Sequence, residues 1–222
     1  MKKKVAVFID WDNYRQELEV VTKKTSVTNF NYNKNKDLLS SIKYFINDSE
    51  EELYRIFIYT APPLSQSDIE DELNRRKISQ EIKNNVKQKY NDNKAKYDSI
   101  YNRARKFIDT ISLEEFVALR KGVLKISNVC EDGTISMNQK QVDMLIGLDI
   151  AQLSYENRVD KIILLSKDTD IKPAIKVARI NGIHTVVACF EEYPAGIPKE
   201  LRVHADTIRK KSFVSFANSL VS

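Results

Sequence analysis

The sequence contains little of what several classes of protein require. It has two cysteines, Cys130 and Cys189, and they form neither a CxxC pair nor a cluster with histidine. This disfavours a disulfide framework or a structural zinc site and is typical of a reducing compartment. The only histidines, His184 and His204, disfavour a histidine-rich metal site and a Ser-His-Asp triad in the same way.

Glycine, proline and long apolar runs are also scarce. With 5 glycines and 5 prolines, no part of the chain has the composition of a linker. The apolar run behind the basic N-terminus, MKKK, stops at Asp10. This run is too short for a signal peptide or a membrane span. We therefore expect a cytoplasmic protein that does not associate with membranes.

The composition that remains is globular, and its positive charge is concentrated in one stretch. The chain is 42% hydrophobic and 30% charged, and its 222 residues suit a single domain, 1–222. Its net charge is only +5, but residues 74–106 hold 11 Lys or Arg against 3 Asp or Glu. Such a stretch favours binding to a polyanion such as nucleic acid, and a solvated helix face is the alternative.

Buried strands and helices alternate along the chain. Four apolar strands are predicted: 5–10, one that runs from Leu53 and is ended by Pro62 and Pro63, 161–170 and 184–190. Helices are predicted at 36–45, 140–157 and from Pro173 to Gly182, and a hairpin at 123–137. Residues 65–120 read as mostly helical and highly charged, with apolar stripes that are more typical of a core than of a nucleic-acid platform. We predict an α/β fold with a largely parallel central sheet flanked by helices, and a helical insertion at about 64–112.

Acidic residues follow two of the predicted strands. Asp10 and Asp12 come after the first strand, and Asp168 and Asp170 follow the strand at 161. If these strands are neighbours, the four carboxylates meet at the carboxyl edge of the sheet, where ligands of such folds bind. Asp143 lies in the first turn of the predicted helix at 140–157, which leads into the strand that begins at 161, so it faces the same crevice. Helix capping or turn chemistry explains each of these residues singly. Together, however, their carboxylates would repel one another unless a divalent cation bound between them.

Four motifs of the sequence resemble those of a known family. FIDWDN, KQVDMLIGLD, LLSKDTDIKPAIKVARINGIHTVV and HADTI, in this order, are similar to the motifs of the NYN domain, in the LabA-like branch of the PIN-like nucleases. The resemblance covers about 4–60 and 115–210 and leaves the charged stretch at about 64–112 without a motif.

The resemblance implies a PIN-like fold and a ribonuclease that uses Mg²⁺ or Mn²⁺ held by acidic residues. The catalytic residues it implies are Asp10, Asn13, Asp143, Asp168 and Asp170, of which the four aspartates are the metal ligands. Asp12, Asp149 and Ser166 are candidates to support the ligands without binding the metal themselves. Asp149 is placed in this group because it lies about 120° around the helix from Asp143. Candidates for phosphate contacts are Lys140 and Lys167, and Lys167 stands where the family usually has glycine.

The expected reaction is metal-dependent hydrolysis of RNA phosphodiester bonds, in single-stranded or structured RNA, at this acidic cluster. Two alternatives stay open. One is a catalytically silent RNA-binding or adaptor module. The other is a phosphatase of the haloacid-dehalogenase type, with Asp10 as nucleophile and Asp12 as acid, although Asn13-Tyr14 follows where that family has Gly-Thr. A homo-oligomer or a protein partner is also left open.

Overall fold

The computed structural model describes residues 1–220. Its strands are β1 (Lys3–Asp10), β2 (Glu51–Thr60), β3 (Val117–Lys121), β4 (Val123–Val129), β5 (Ile135–Lys140), β6 (Lys161–Leu165), β7 (His184–Phe190) and β8 (Thr207–Lys211). Its helices are α1 (Trp11–Thr25), α2 (Asn35–Lys43), α3 (Gln66–Arg75), α4 (Gln80–Asp92), α5 (Lys94–Ile111), α6 (Val142–Tyr155), α7 (Lys172–Ile180), α8 (Lys199–Arg202) and α9 (Phe213–Ser219).

Six strands form one parallel sheet in the order β3-β2-β1-β6-β7-β8. From β1 the chain adds β2 and β3 on one side, and later β6, β7 and β8 on the other. The strand order therefore reverses between β1 and β6, which is where ligands bind to open sheets of this type. The pairing of Ile9 with Leu165 brings the carboxyl ends of these two strands side by side. The α/β fold with a parallel sheet flanked by helices is confirmed.

Helices cover both faces of the sheet. Alternate residues of β1 point into two apolar clusters: Val5, Val7 and Ile9 into one, and Ala6 and Phe8 into the other. The first cluster includes α1, α2 and α9, and the second includes α6 and α7. A strand buried on both faces has an unbroken apolar run rather than an alternating one, which explains the sequence pattern at β1 and β6.

Residues 65–120 differ from the sequence prediction at their end. The segment that was expected to stay helical up to Arg120 contains β3, which pairs in parallel with β2. Its main-chain groups complete the sheet edge, a tertiary pairing that outweighs local helix preference. The apolar stripes are buried at Val86 and Ile108, as predicted, but Tyr97 is exposed and stacks on Tyr90.

The three helices α3, α4 and α5 lie between β2 and β3 in the chain, and two of them pack on the hairpin formed by β4 and β5. Ile69 and Leu73 from α3, Val86 from α4 and Ile126 from β4 form a small separate core. At the hairpin turn, Gly133 has a φ of +79°, and a Cβ there would lie 2.5 Å from the backbone of Asn85. The close approach therefore requires glycine at the turn predicted there.

None of the helices in residues 1–220 combines the length and the apolar character needed to cross a membrane.

Candidate metal centre

Three carboxylates meet at the carboxyl edge of the sheet, at the β1/β6 switch point. Asp10 ends β1, Asp168 follows β6, and Asp143 lies in the first turn of α6. One carboxylate oxygen from each lies within 4.8 Å of the other two. The topology explains the convergence, because β1 and β6 are parallel neighbours and α6 must start at this edge in order to lead into β6.

Local hydrogen bonds hold these side chains in place. Asp10 caps α1 by accepting a hydrogen bond from the backbone N–H of Asn13 at 3.3 Å. The Asn13 side-chain oxygen accepts one from the N–H of Lys167 at 3.0 Å, which ties α1 to the loop after β6. In that loop, the Asp168 N–H donates to the buried Ser166 hydroxyl at 3.1 Å.

The cluster carries negative charge without a compensating cation. Burial, together with the charges of Asp12, Asp143 and Asp168, raises the pKa of Asp10 from 3.8 to about 6. Burial, then the charges of Asp168 and Asp170, raises the pKa of Asp143. Within the described part of the chain, no Lys or Arg forms an ion pair with any of Asp10, Asp143, Asp168 and Asp170. Hard carboxylate oxygens gathered in this way fit a divalent cation such as Mg²⁺ or Mn²⁺.

Comparison with known proteins identifies the family. The family model described as the NYN domain matches residues 97–211, just over half of the chain. The chain belongs to the NYN domain family. A crystal structure of a protein of unknown function from Vibrio parahaemolyticus RIMD 2210633 is similar with a TM-score of 0.47 and 14% identity, over 96% of this chain and 94% of that chain. No curated protein sequence matches this chain.

The NYN match includes Asp143, Asp168 and Asp170 and leaves Asp10 outside. It also starts earlier than the sequence motifs indicate, because it takes in α5 from residue 97. NYN domains belong to the PIN-like nuclease superfamily, whose members usually use divalent metals. The family thus suggests a nuclease, and the observed group of three aspartates suits a metal of that kind.

Asp170 was expected as a fourth metal ligand, but it is not in the group of three. It lies in the single 3₁₀ turn Thr169–Ile171, where its N–H donates to the Asp168 carboxylate at 2.8 Å. That turn leaves the Asp170 side chain exposed at the rim, where its charge acts on Asp143.

Asp12 and Asp149 differ in their surroundings. Asp12, in the first turn of α1, lies 4.0 Å from Arg15, and its charge acts on Asp10. Burial raises the pKa of Asp12, and Arg15 opposes that shift. Asp149 instead accepts hydrogen bonds from the Tyr59 hydroxyl at 2.7 Å and from Arg120 Nε at 2.9 Å. It therefore links α6 to β2 and β3, on another side of the helix from Asp143.

The two lysines that were predicted to contact phosphate lie in different environments. Lys140 ends β5, two residues before α6, and is exposed. Lys167, in contrast, turns its ammonium away from the cluster into a buried ion pair with Glu17. It also lies 4.6 Å from the centre of the Tyr193 ring. The cation of Lys167 is thus paired with Glu17 inside the protein, whereas the sequence analysis placed it at a phosphate.

Sequence reasoning missed Glu17. Its side chain is fully buried, and besides the ion pair with Lys167 it accepts the N–H of Phe190 at 2.6 Å. Glu17 thus joins α1, the loop of Asp168 and the end of β7. A signal was present, because Tyr14, Leu18 and Val21 mark one apolar face of a helix, and Glu17 lies on that face.

Proposed function

We propose that this NYN chain is a metal-dependent ribonuclease that hydrolyses phosphodiester bonds of RNA at the acidic cluster. The observation that carries the proposal is the meeting of Asp10, Asp143 and Asp168 within 4.8 Å, without a cationic partner, at the switch point of the sheet. We further propose membership in the LabA-like branch. The order of the motifs around Asp10, Asp143 and Asp168 supports that assignment.

In this proposal each residue has a distinct task. Asp10, Asp143 and Asp168 hold Mg²⁺ or Mn²⁺. Asp170, at the rim, adds negative charge that favours the same cation. Asn13 and Ser166 keep the ligands oriented through the hydrogen bonds described above, and Asp12, whose charge raises the pKa of Asp10, adds to the negative charge that a cation would relieve. When bound, a divalent cation lowers the pKa of water and neutralises negative charge on the phosphate. No side-chain nucleophile is required, which agrees with the scarcity of histidine.

One helix end supports the binding of a phosphate at this edge. α6 begins here without a side-chain cap, so its first backbone N–H groups remain available. Lys140, exposed next to the start of α6, is our proposed phosphate contact in place of Lys167.

We propose that the basic stretch 74–106 binds the RNA backbone. Of its 11 Lys and Arg, Arg76 and Lys89 form ion pairs with acidic side chains, and the others form none in residues 1–220. α5 also reaches the site. Its Phe107 ring stacks on the ring of Trp11, with 4.3 Å between the ring centres, and Trp11 directly follows Asp10 in the chain. Replacing several of the free cations by Gln should lower the salt dependence of RNA binding. An unchanged salt slope would remove this role.

We also propose that residues 1–222 form a single domain with an insertion at about 64–112. The unpaired Cys130 and Cys189 fit action in the reducing cytoplasm. NYN membership removes the phosphatase of the haloacid-dehalogenase type as an alternative. The silent RNA-binding or adaptor module remains as one outcome of the test below.

The test compares wild type, Asp143→Asn and Asp160→Asn on mixed single-stranded and structured RNAs, with Mn²⁺, Mg²⁺ or EDTA. Asp160 is a matched control, because it lies at the opposite edge of the sheet and accepts the Lys4 N–H at 2.7 Å. We expect metal-dependent cleavage by wild type and the control variant and its loss in Asp143→Asn. RNA binding that EDTA does not affect, without cleavage by wild type, would identify a binding module instead.

A further inference from the structure

An apolar groove opens beside the acidic cluster, between α6 and α7. Its volume is about 360 Å³. Its lining includes Asp143, Met144, Gly147, Leu148, Asp170 and Ala174. The two carboxylates lie at the end where both helices begin, and apolar side chains line the rest. The groove therefore continues directly from the proposed catalytic cluster.

The groove leaves large apolar side chains in solvent. Met144, in the first turn of α6, is 56% exposed, and Leu148, in the middle of the same helix, is 59% exposed. Gly147 keeps the floor open, because a Cβ there would meet only Ala174, at 3.9 Å. Helix packing alone does not require glycine at this position, so its absence of a side chain preserves space.

We propose that the groove holds one nucleobase of the RNA strand, from a nucleotide next to the phosphate at the acidic cluster. This inference rests on the proposed function. Asp143 belongs both to the cluster and to the groove, so a strand whose phosphate lies at the cluster has a neighbouring base within reach of Met144 and Leu148. A flat base suits an apolar slot, and thioether sulfur packs well against aromatic rings.

The lining predicts how the base is read. Apart from Asp143 and Asp170, the side chains of the groove have no hydrogen-bonding groups. Recognition therefore comes from apolar contact with the face of the base, which every base offers, and not from hydrogen bonds to base edges. We expect weak sequence preference and a marked need for some base at this position.

The first experiment measures KM and kcat for wild type, Leu148→Ser and the matched control Leu113→Ser. Leu113 is 85% exposed, follows α5 and lies outside the groove. The substrates are an oligoribonucleotide with a mapped cleavage position and the same RNA with one abasic nucleotide beside the cleaved bond. For Leu148→Ser on intact RNA we expect KM to rise about tenfold, because the variant loses the apolar contact of the leucine side chain with the base, with little change in kcat.

The abasic RNA makes the test specific. Wild type should bind it about tenfold more weakly than intact RNA, and Leu148→Ser should add almost nothing to that loss. Wild-type KM that does not respond to either flanking abasic site, or a Leu148→Ser KM equal to that of Leu113→Ser, would overturn the proposal. If wild type binds RNA without cleaving it, dissociation constants from fluorescence anisotropy replace KM, and the same comparisons decide.

A second variant separates the groove from folding. Gly147→Leu fills the floor with a good helix former, at a position where a Cβ makes only an ordinary van der Waals contact with Ala174, at 3.9 Å. We expect its melting temperature to match or exceed that of wild type, while KM rises. An unchanged KM in this folded variant would overturn the proposal.

The competing occupant is a second copy of the chain on the same apolar face. If Leu148→Ser turns a dimer into a monomer in sedimentation velocity and leaves KM unchanged, the groove is a self-association surface and the proposal fails. Cleavage of RNA with wild-type KM in both groove variants refutes this inference alone. Absence of both RNA cleavage and RNA binding in wild type refutes the proposed function and this inference with it.

Discussion

Asp10→Asn should make the metal-free protein more stable while it abolishes activity. Asp10 is 5% exposed, and its pKa is raised from 3.8 to about 6 by burial and by its acidic neighbours. At about 1.4 kcal/mol per pH unit, keeping this carboxylate ionised in the folded state at pH 7 costs about 3 kcal/mol. Asparagine removes the charge, and its side-chain oxygen still caps the Asn13 N–H.

The sign of the pH dependence follows from the raised pKa. Between pH 3.8 and about 6 the folded protein binds more protons at Asp10 than the unfolded chain does. The contribution of Asp10 to the free energy of unfolding therefore falls as the pH rises through this window and is constant above it. The difference between Asp10→Asn and wild type should be near zero at pH 3.5 and reach up to about 3 kcal/mol at pH 7.

Urea unfolding followed by circular dichroism, in EDTA, measures this difference from pH 3.5 to 7.5. Asp206→Asn is the matched control, because hydrogen bonds from Thr185 and the ion pair with Arg179 outweigh burial and lower the pKa of Asp206. The same substitution should therefore destabilise the protein there. Asp10→Asn that is less stable than wild type at pH 7, or a difference that does not grow with pH, would refute the reasoning.

The same two proteins test the metal. Mn²⁺ should stabilise wild type against urea, since a ligand that binds the folded state alone adds to its stability, and it should have little effect on Asp10→Asn. RNA cleavage should fall by more than about 100-fold in the variant, because even the partners of metal ligands contribute 10–100-fold.

Two further substitutions test buried ion pairs. Glu51→Gln removes a buried carboxylate. Burial raises the pKa of Glu51, but hydrogen bonds from Arg209 and Lys161 outweigh burial and lower that pKa to about 2. We expect a loss of about 3 kcal/mol in urea unfolding at pH 7, and only wild type should lose stability through this group as the pH falls from 4.5 towards 2; identical pH profiles would contradict this. Lys167→Met leaves Glu17 buried without its cation and should also cost about 3 kcal/mol. The double variant with Glu17→Gln should recover most of that loss, and simple addition of the two single effects would contradict the pairing.

The meeting of the acids could be predicted from the sequence because it depends on chain order and strand type. An unbroken apolar run such as VAVFI signals a strand buried on both faces, and an acid directly behind it marks the carboxyl edge. Asp143 could be added because a helix that leads into a parallel strand begins at that edge. None of these steps requires knowledge of a side-chain contact.

What could not be predicted depends on contacts between distant residues. Lys167 is next to Asp168 in sequence, and only the position of Glu17, 150 residues away, shows that its ammonium turns inward. Asp170 follows Asp168 by two residues, and the 3₁₀ turn between them decides that it stays at the rim. β3 escaped prediction because its pairing with β2 forms after a long insertion.

Acidic residues have partners at one edge of the sheet and lack cationic partners at the other. At the amino edge, Glu51 is held by Lys161 and Arg209, and Asp160 accepts the Lys4 N–H. At the carboxyl edge, Asp10 and Asp143 have raised pKa values. The chain has more Lys and Arg than Asp and Glu, with a net charge of +5. A shortage of basic residues therefore does not explain why the acidic cluster has no cationic partner. The buried carboxylate of Asp10 destabilises the fold, and a single substitution could remove its charge. Such a group is expected to persist where function requires it. A ligand with positive charge would complete this edge under the proposed function, and a divalent cation has that property.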